Sequence, residues 1–274
     1  MRIIKKRKGL NLVLLFSLCA VTLVALTFVL PVSNLVVFNE FWAAFWIGLT
    51  NIGGTVGVGI TILIIAIVWS FTYQGTLKRL LKAFMLIVFL GAVIGATAFL
   101  NEHLIKEQLC VHRPSIELLQ KEYGFNANEF YQQEGKELRR AYVQDYLKTE
   151  GIDIKNDQHQ SISNLIKKVW IKEAGYSFPS GHTVTVFLMM SLLSYIFLKY
   201  FKRKHVWVVC LLFLWAVIMA YSRVVIGVHT PLDVTFGALW GSLIAGVVIS
   251  TGFIEILFFE DKTHKKSKHK KRTD

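Results

Sequence analysis

Six long apolar runs, at about residues 11–32, 52–72, 81–101, 183–201, 205–222 and 234–259, constrain this chain more than any other feature, because they are almost free of charge. About 20 apolar residues let a helix cross the hydrocarbon of a bilayer. In lipid the backbone must satisfy its own hydrogen bonds, which a helix does within one segment. The expected fold class is therefore an all-α integral membrane protein with six transmembrane helices. With 54% hydrophobic residues among 274 and a mean hydropathy of +0.48, the chain is too apolar for an ordinary soluble domain.

One further apolar stretch is too short to cross. Phe38, Phe41, Trp42, Phe45 and Trp46 recur at the spacing of a single helical face, the pattern of an aromatic helix lying in the membrane interface. The first run follows Lys5-Lys6-Arg7-Lys8, as a signal peptide would, but it is longer than a signal core and no A-x-A site follows. It is expected to remain as an uncleaved span. Gly53-xxx-Gly57, Gly91-xxx-Gly95 and Gly237-xxx-Gly241 predict close helix approaches within the chain. Cys19, Cys110 and Cys210 offer neither a disulfide framework nor a metal-binding spacing.

The formal charge of +13 is not that of a nucleic-acid binder, because the basic residues cluster at the ends of apolar runs. Five Lys/Arg precede the first run, three (Lys78, Arg79, Lys82) lie between the second and third, four (Lys199, Lys202, Arg203, Lys204) between the fourth and fifth, and seven follow Phe259. By the positive-inside rule these mark the cytoplasmic side, together with both termini. The tail, residues 260–274, reads as a basic cytoplasmic segment near anionic lipid. Residues 103–182 then form an outer segment within a single domain, with eleven Lys/Arg against eleven Asp/Glu. There Ile162, Leu165, Ile166, Val169 and Trp170 make an apolar stripe opposite Lys167, Lys168 and Lys172, and 127–149 is rich in helix formers. Two or three amphipathic helices are expected to cap the outer face, either as a plain cover or as a grip on lipid headgroups.

This topology gathers the unusual polar residues at one membrane depth. Lys106 and Arg113-Pro114 follow the third span, Pro179-Ser180-Gly181-His182 precedes the fourth, and Ser222-Arg223, His229 and Asp233 lie between the fifth and sixth. Three converging cations require an anion, and phosphate suits the arginine fork. Ser180 and Gly181 open a helix, where free amides and the positive dipole end favour an anion. His182 and His229 titrate near neutrality, and Asp233, four residues after His229, is placed to hold its Nδ1–H. Such a set has the logic of a nucleophile with an orienting carboxylate. Zinc held by His182, His229 and Asp233 would share its space with fixed cations and lack a further ligand, so no metal is expected. The remaining histidines, His103, His112, His159 and His205, read as bystanders.

Lys106-x6-Arg113-Pro114, Pro179-Ser180-Gly181-His182 and Ser222-Arg223-x5-His229-x3-Asp233 together resemble the three-part signature of the type 2 phosphatidic acid phosphatase superfamily, which also includes the vanadium haloperoxidases. Glu129-Phe130-Tyr131 and Trp170-x-Lys172-Glu173-x-Gly175 are similar to its bacterial phosphatidylglycerophosphatase B type. The motifs carry the likeness, whereas residues 134–160 and the tail do not share it. The resemblance implies a metal-independent lipid phosphatase without cofactor, in the inner membrane of a bacterial cell with its site on the outer side. Its candidate substrates are phosphatidylglycerophosphate, undecaprenyl diphosphate and phosphatidic acid. By the same resemblance, His229 would form a phosphohistidine, Asp233 would orient it, and His182 would act as acid and then base. Lys106, Arg113, Arg223, Ser180 and Gly181 would hold the phosphate. The alternatives are a lipid-to-lipid phosphotransferase on the same site, or a transporter or scramblase with an anion site. The second is disfavoured by the lack of ionisable residues deep in the spans.

Overall fold

Apolar runs become helices throughout the computed structural model, which describes residues 2–32, 38–155, 159–201 and 206–259. The helices are α1 (Arg2–Ala25), α2 (Glu40–Ile52), α3 (Thr55–Ser70), α4 (Thr76–Leu100), α5 (Lys106–Leu109), α6 (Pro114–Tyr123), α7 (Ala127–Gln132), α8 (Gly135–Thr149), α9 (Asn164–Lys172), α10 (Gly181–Phe201), α11 (Val206–Val225), α12 (Pro231–Thr251) and α13 (Phe253–Phe259). Among the described residues there is no strand, only one antiparallel bridge between Lys155 and Ser161.

Five helical segments are long and apolar enough to cross a membrane, and a sixth crossing results if α2 and α3, bent by 58°, count as one. The bend departs from the expected interfacial helix followed by a run from residue 52. Consecutive glycines, Gly53 and Gly54, interrupt the helix, and Gly54 takes the extended N-cap conformation from which α3 starts at Thr55. The aromatic face of α2 keeps Phe41, Trp42 and Phe45 exposed. Its Glu40 accepts hydrogen bonds from Ser163 Oγ at 2.8 Å and the Asn164 amide at 2.7 Å, which tie α2 to the start of α9.

At the centre α10 packs against α12, α11 and α1. Spans gain little from the hydrophobic effect in lipid, so close contact must hold them together. At Gly237 an added Cβ would lie 3.0 Å from the Ser180 carbonyl oxygen, and at Gly241 it would overlap the Val184 carbonyl oxygen. Gly241→Ala should therefore push α12 off α10 and cost about 1–3 kcal/mol, read as a lower melting midpoint in detergent. The expectation fails at Gly91 and Gly95. An added Cβ there meets nothing within 4 Å, and both face a cavity instead of a helix.

One end of the bundle joins several turns. Lys82 Nζ donates to the Leu257 carbonyl at 2.7 Å, Tyr200 OH to that of Thr72 at 3.0 Å, and Lys199 pairs with Glu255 at 3.0 Å. Lys202, Arg203, Lys204, His205 and the basic tail 260–274 lie outside the described residues. At the other end α6 to α9 form a cap of four helices, more than the sequence pattern suggests, with its own apolar core. Ile116, Leu119, Phe130 and Ile166 pack there with Ile226 and Val228 from the turn between α11 and α12. The cap is thus built onto the turn that carries His229.

Candidate active site

His229 is fixed before any partner reaches it. Its amide and that of Val228 donate to the Arg223 carbonyl at 3.2 and 3.3 Å, closing α11. Trp170 Nε1 donates to the Ile226 carbonyl at 2.8 Å. Gly227 takes φ +72°, and a Cβ there would stand 3.1 Å from the Trp170 ring, so both the turn and the ring require glycine. Thr230 and Asp233 form a capping box at the start of α12, with Pro231 in the first turn.

The Asp233 carboxylate has a second task. Its Oδ2 accepts from the Thr230 amide at 2.7 Å and from Ser177 Oγ, and lies 3.4 Å from His229 Nδ1. Ser177 Oγ is 3.3 Å from the same nitrogen. With the ring proton on Nδ1, the Nε2 lone pair faces the other way, toward Arg113, whose nearest guanidinium nitrogen is 3.4 Å distant. Burial, the largest cause, holds the His229 imidazole well below its ordinary pKa; Arg113 and Arg223 add to this, while the hydrogen bond to Asp233 opposes it. This environment favours the neutral ring, the form in which an imidazole can act as a nucleophile.

Arg113 leaves the helical run because Pro114 at the first position of α6 drives it to extended backbone. Its amide donates to Tyr131 OH at 2.9 Å, its Nε to the Gly175 carbonyl at 2.8 Å, and one terminal nitrogen to the Val228 carbonyl at 2.9 Å. The other terminal nitrogen meets Glu173 Oε2 at 3.0 Å. Arg223 bonds the second oxygen of the same carboxylate at 2.7 Å and Thr50 Oγ1 at 2.9 Å. Burial would raise the Glu173 carboxyl, but Arg223 and Arg113 outweigh it and hold the pKa well below the usual range. The two arginines are thus bridged by an anion that the protein itself supplies.

Lys106 follows a π-helical turn, Asn101–Ile105, closed by its own amide on the Asn101 carbonyl. The wider turn carries Asn101, Glu102 and Lys106 to the cavity wall. Glu102 then holds Lys106 Nζ at 3.0 Å and also pairs with Lys136.

A cavity of about 530 Å³ unites Lys106, Arg113, Glu173, Gly181, His182 and His229. Its apolar part runs down between α3 and α4 past Val58, Ile62, Gly91 and Ile94. Three expected site residues stand behind its wall. Asp233 is there as the orienting group. Arg223, 1% exposed, meets Glu173 instead of the cavity. The Ser180 amide, expected to face an anion, donates to the Asp233 carbonyl at 3.1 Å, and its hydroxyl accepts from Thr183. Linking α10 to α12 uses that amide. Gly181 remains at the first position of α10, where an amide has no partner inside the helix. His182 lies opposite Gly54, where an added Cβ would come within 3.4 Å of its Nε2.

The sequence reading assigned no site role to Ser177, Tyr131, Lys136 or Arg140. Tyr131 stacks between His112 and Tyr176 at 4.3 and 4.8 Å, so His112 packs against the residue that holds Arg113. His103 packs on Phe99.

The site therefore belongs to an all-helical membrane bundle that gathers cations round a buried histidine held by a carboxylate. The chain belongs to the PAP2 superfamily, which it matches over residues 82–255. It is 30% identical over 165 residues to phosphatidylglycerophosphatase B of Escherichia coli K12, covering 59% of this chain and 58% of that protein. It is 38% identical over 87 residues to an undecaprenyl-diphosphatase of Sulfolobus acidocaldarius, covering 31% and 39% respectively. The chain thus spans well under two thirds of the curated relatives it matches. A solved structure, the transmembrane PAP2 type phosphatidylglycerolphosphate phosphatase from Bacillus subtilis, superposes with a TM-score of 0.46 at 18% identity, covering 93% of this chain and 99% of that one.

Proposed function

We propose that the protein is a metal-independent phosphatase of membrane lipid phosphates, in the inner membrane of a bacterium with the site on its outer side. The observation that carries this reading is the held imidazole: His229 is fixed at Nδ1 by Asp233 and Ser177 with Nε2 turned toward Arg113. In-line attack by Nε2 forms an N–P bond while the bond from phosphorus to the lipid oxygen breaks. His182, on the same cavity, gives that oxygen a proton. It then takes a proton from water, whose oxygen attacks phosphorus; the N–P bond breaks and orthophosphate leaves. Lys106, Arg113 and the Gly181 amide neutralise the equatorial oxygens, and Arg223 joins them once Glu173 is displaced. The apolar arm between α3 and α4 suits acyl or prenyl chains.

Relatives named for phosphatidylglycerophosphate and undecaprenyl diphosphate support both as substrates here, with phosphatidic acid a third. Purified protein should release orthophosphate from at least one of the three in detergent. Activity should persist in EDTA and fall with vanadate, a trigonal-bipyramidal mimic. No release from any of them would overturn the reading, and strong inhibition by EDTA would remove its metal independence.

A further inference from the structure

The cavity wall carries a second set of cations that the chemistry above does not use. Lys136 and Arg140 come from α8 and Lys172 from the end of α9, and all three line the cavity that holds Lys106, Arg113 and His229. Lys136 and Lys172 are exposed and Arg140 is half-buried, so this set forms the outer part of the wall. The Arg140 Nε is anchored on the Lys172 carbonyl at 2.9 Å.

Gly175 joins the two sets. Its carbonyl accepts from Arg113 Nε at 2.8 Å, and a Cβ added to it would lie 3.6 Å from Lys136 Nζ. One residue separates the inner guanidinium from the outer ammonium. Glu102 makes a second link, since it pairs with both Lys106 and Lys136. Among the described residues, five cations on the wall, Lys106, Arg113, Lys136, Arg140 and Lys172, stand with two carboxylates, Glu102 and Glu173. The outer segment 103–182, which contributes all five cations, is electrically balanced as a whole, so the imbalance is local to the cavity. With Lys136 paired to Glu102, a single phosphate engaged by the inner set leaves Arg140 and Lys172 without an acidic partner on the described wall.

We infer that Lys136, Arg140 and Lys172 form a subsite for a second phosphate bonded directly to the one transferred, which makes lipid diphosphates the preferred substrate class. The inference rests on the phosphatase reading above and goes further by assigning the leaving group its own site. His229 Nε2 forms a bond to the terminal phosphorus, the bond from that phosphorus to the bridging oxygen breaks, and the electron pair stays on the bridging oxygen. The departing lipid monophosphate carries the new charge, which the outer cations stabilise without a proton. Phosphatidic acid, with a single phosphate, places no anion there. The adjacency of the sets at Gly175 favours two phosphates sharing an oxygen over two separated by a glycerol.

The test compares wild type with R140M/K172M, and with the triple variant that adds K136M, on farnesyl diphosphate, phosphatidylglycerophosphate and phosphatidic acid in the same micelles. For farnesyl diphosphate, kcat/KM should fall about tenfold or more in the triple variant, while the value for phosphatidic acid stays within about twofold. The charge-preserving K136R/R140K/K172R should keep most of the diphosphate activity, which separates charge from folding. Equal losses on all three substrates, or no selective loss for the diphosphate, would overturn the subsite. A larger loss on phosphatidylglycerophosphate than on the diphosphate would overturn the adjacency. Release of phosphate from none of them by wild type would instead defeat the phosphatase reading.

Discussion

His229→Ala should lose phosphate release by roughly ten-thousand-fold or more on every substrate, because among the described residues His229 is the cavity imidazole that a carboxylate holds at Nδ1. Binding should survive the change, since the cations that attract the anion are untouched. Asp233→Asn should be milder, about a thousandfold, because the amide can still accept from Thr230 but no longer carries the charge that stabilises the imidazolium. The pH profile gives a separate readout. Burial and the arginines depress the His229 pKa below its ordinary 6.5, so the neutral nucleophile persists as pH falls through that range. The acid limb of kcat/KM, corrected for titration of the substrate near pH ~6, should therefore lie below about 6.5. A limb at the ordinary histidine value, or a fully active His229→Ala, would remove His229 as the nucleophile.

Glu173→Gln should have the largest effect on stability. The substitution leaves Arg113 and Arg223, 2% and 1% exposed, without the carboxylate that bridges them. Unpairing buried charges costs about 3 kcal/mol or more, visible as a lower melting midpoint. Orthophosphate or vanadate should then stabilise the variant more than wild type, where an incoming anion must first displace Glu173. The sign with pH follows from the depressed carboxyl. Its contribution is present above the ordinary value of 4.5 and is lost as pH falls through the lower folded value, so wild type and variant should converge in acid. Equal stabilisation of both proteins by the anion would mean that Glu173 does not stand where phosphate binds.

Much of this was legible because two periodic signals, apolar run length and terminal charge, depend on the solvent more than on packing. The helices follow from them, whereas the roles expected of the three motifs rest on the family resemblance. What the sequence could not disclose depends on local backbone choices. Nothing in Asn101–Ile105 marks a π-turn, because a π-turn shifts register without changing composition. Gly53-xxx-Gly57 predicts helix packing, yet Gly53 and Gly54 interrupt the helix, since glycine signals either close contact or a break. The stripe on α9 was visible, and Ile162, Ile166 and Trp170 are buried as it requires. Three converging cations predict an anionic substrate, and the structure supplies an anion of its own in Glu173, which lies outside the three motifs.

The capping box at Thr230 and Asp233 ties two properties to one side chain. The carboxylate that sets where α12 begins is also the one that lies against His229 Nδ1. A genetic screen for variants that reach the membrane but do not turn over substrate should return many changes at His229 and few at Asp233. At Asp233 only a side chain that can accept from the Thr230 amide, such as asparagine, glutamate or glutamine, preserves the capping box. A lineage drifting toward a silent, ligand-holding descendant would shed its histidine first and keep its aspartate longest.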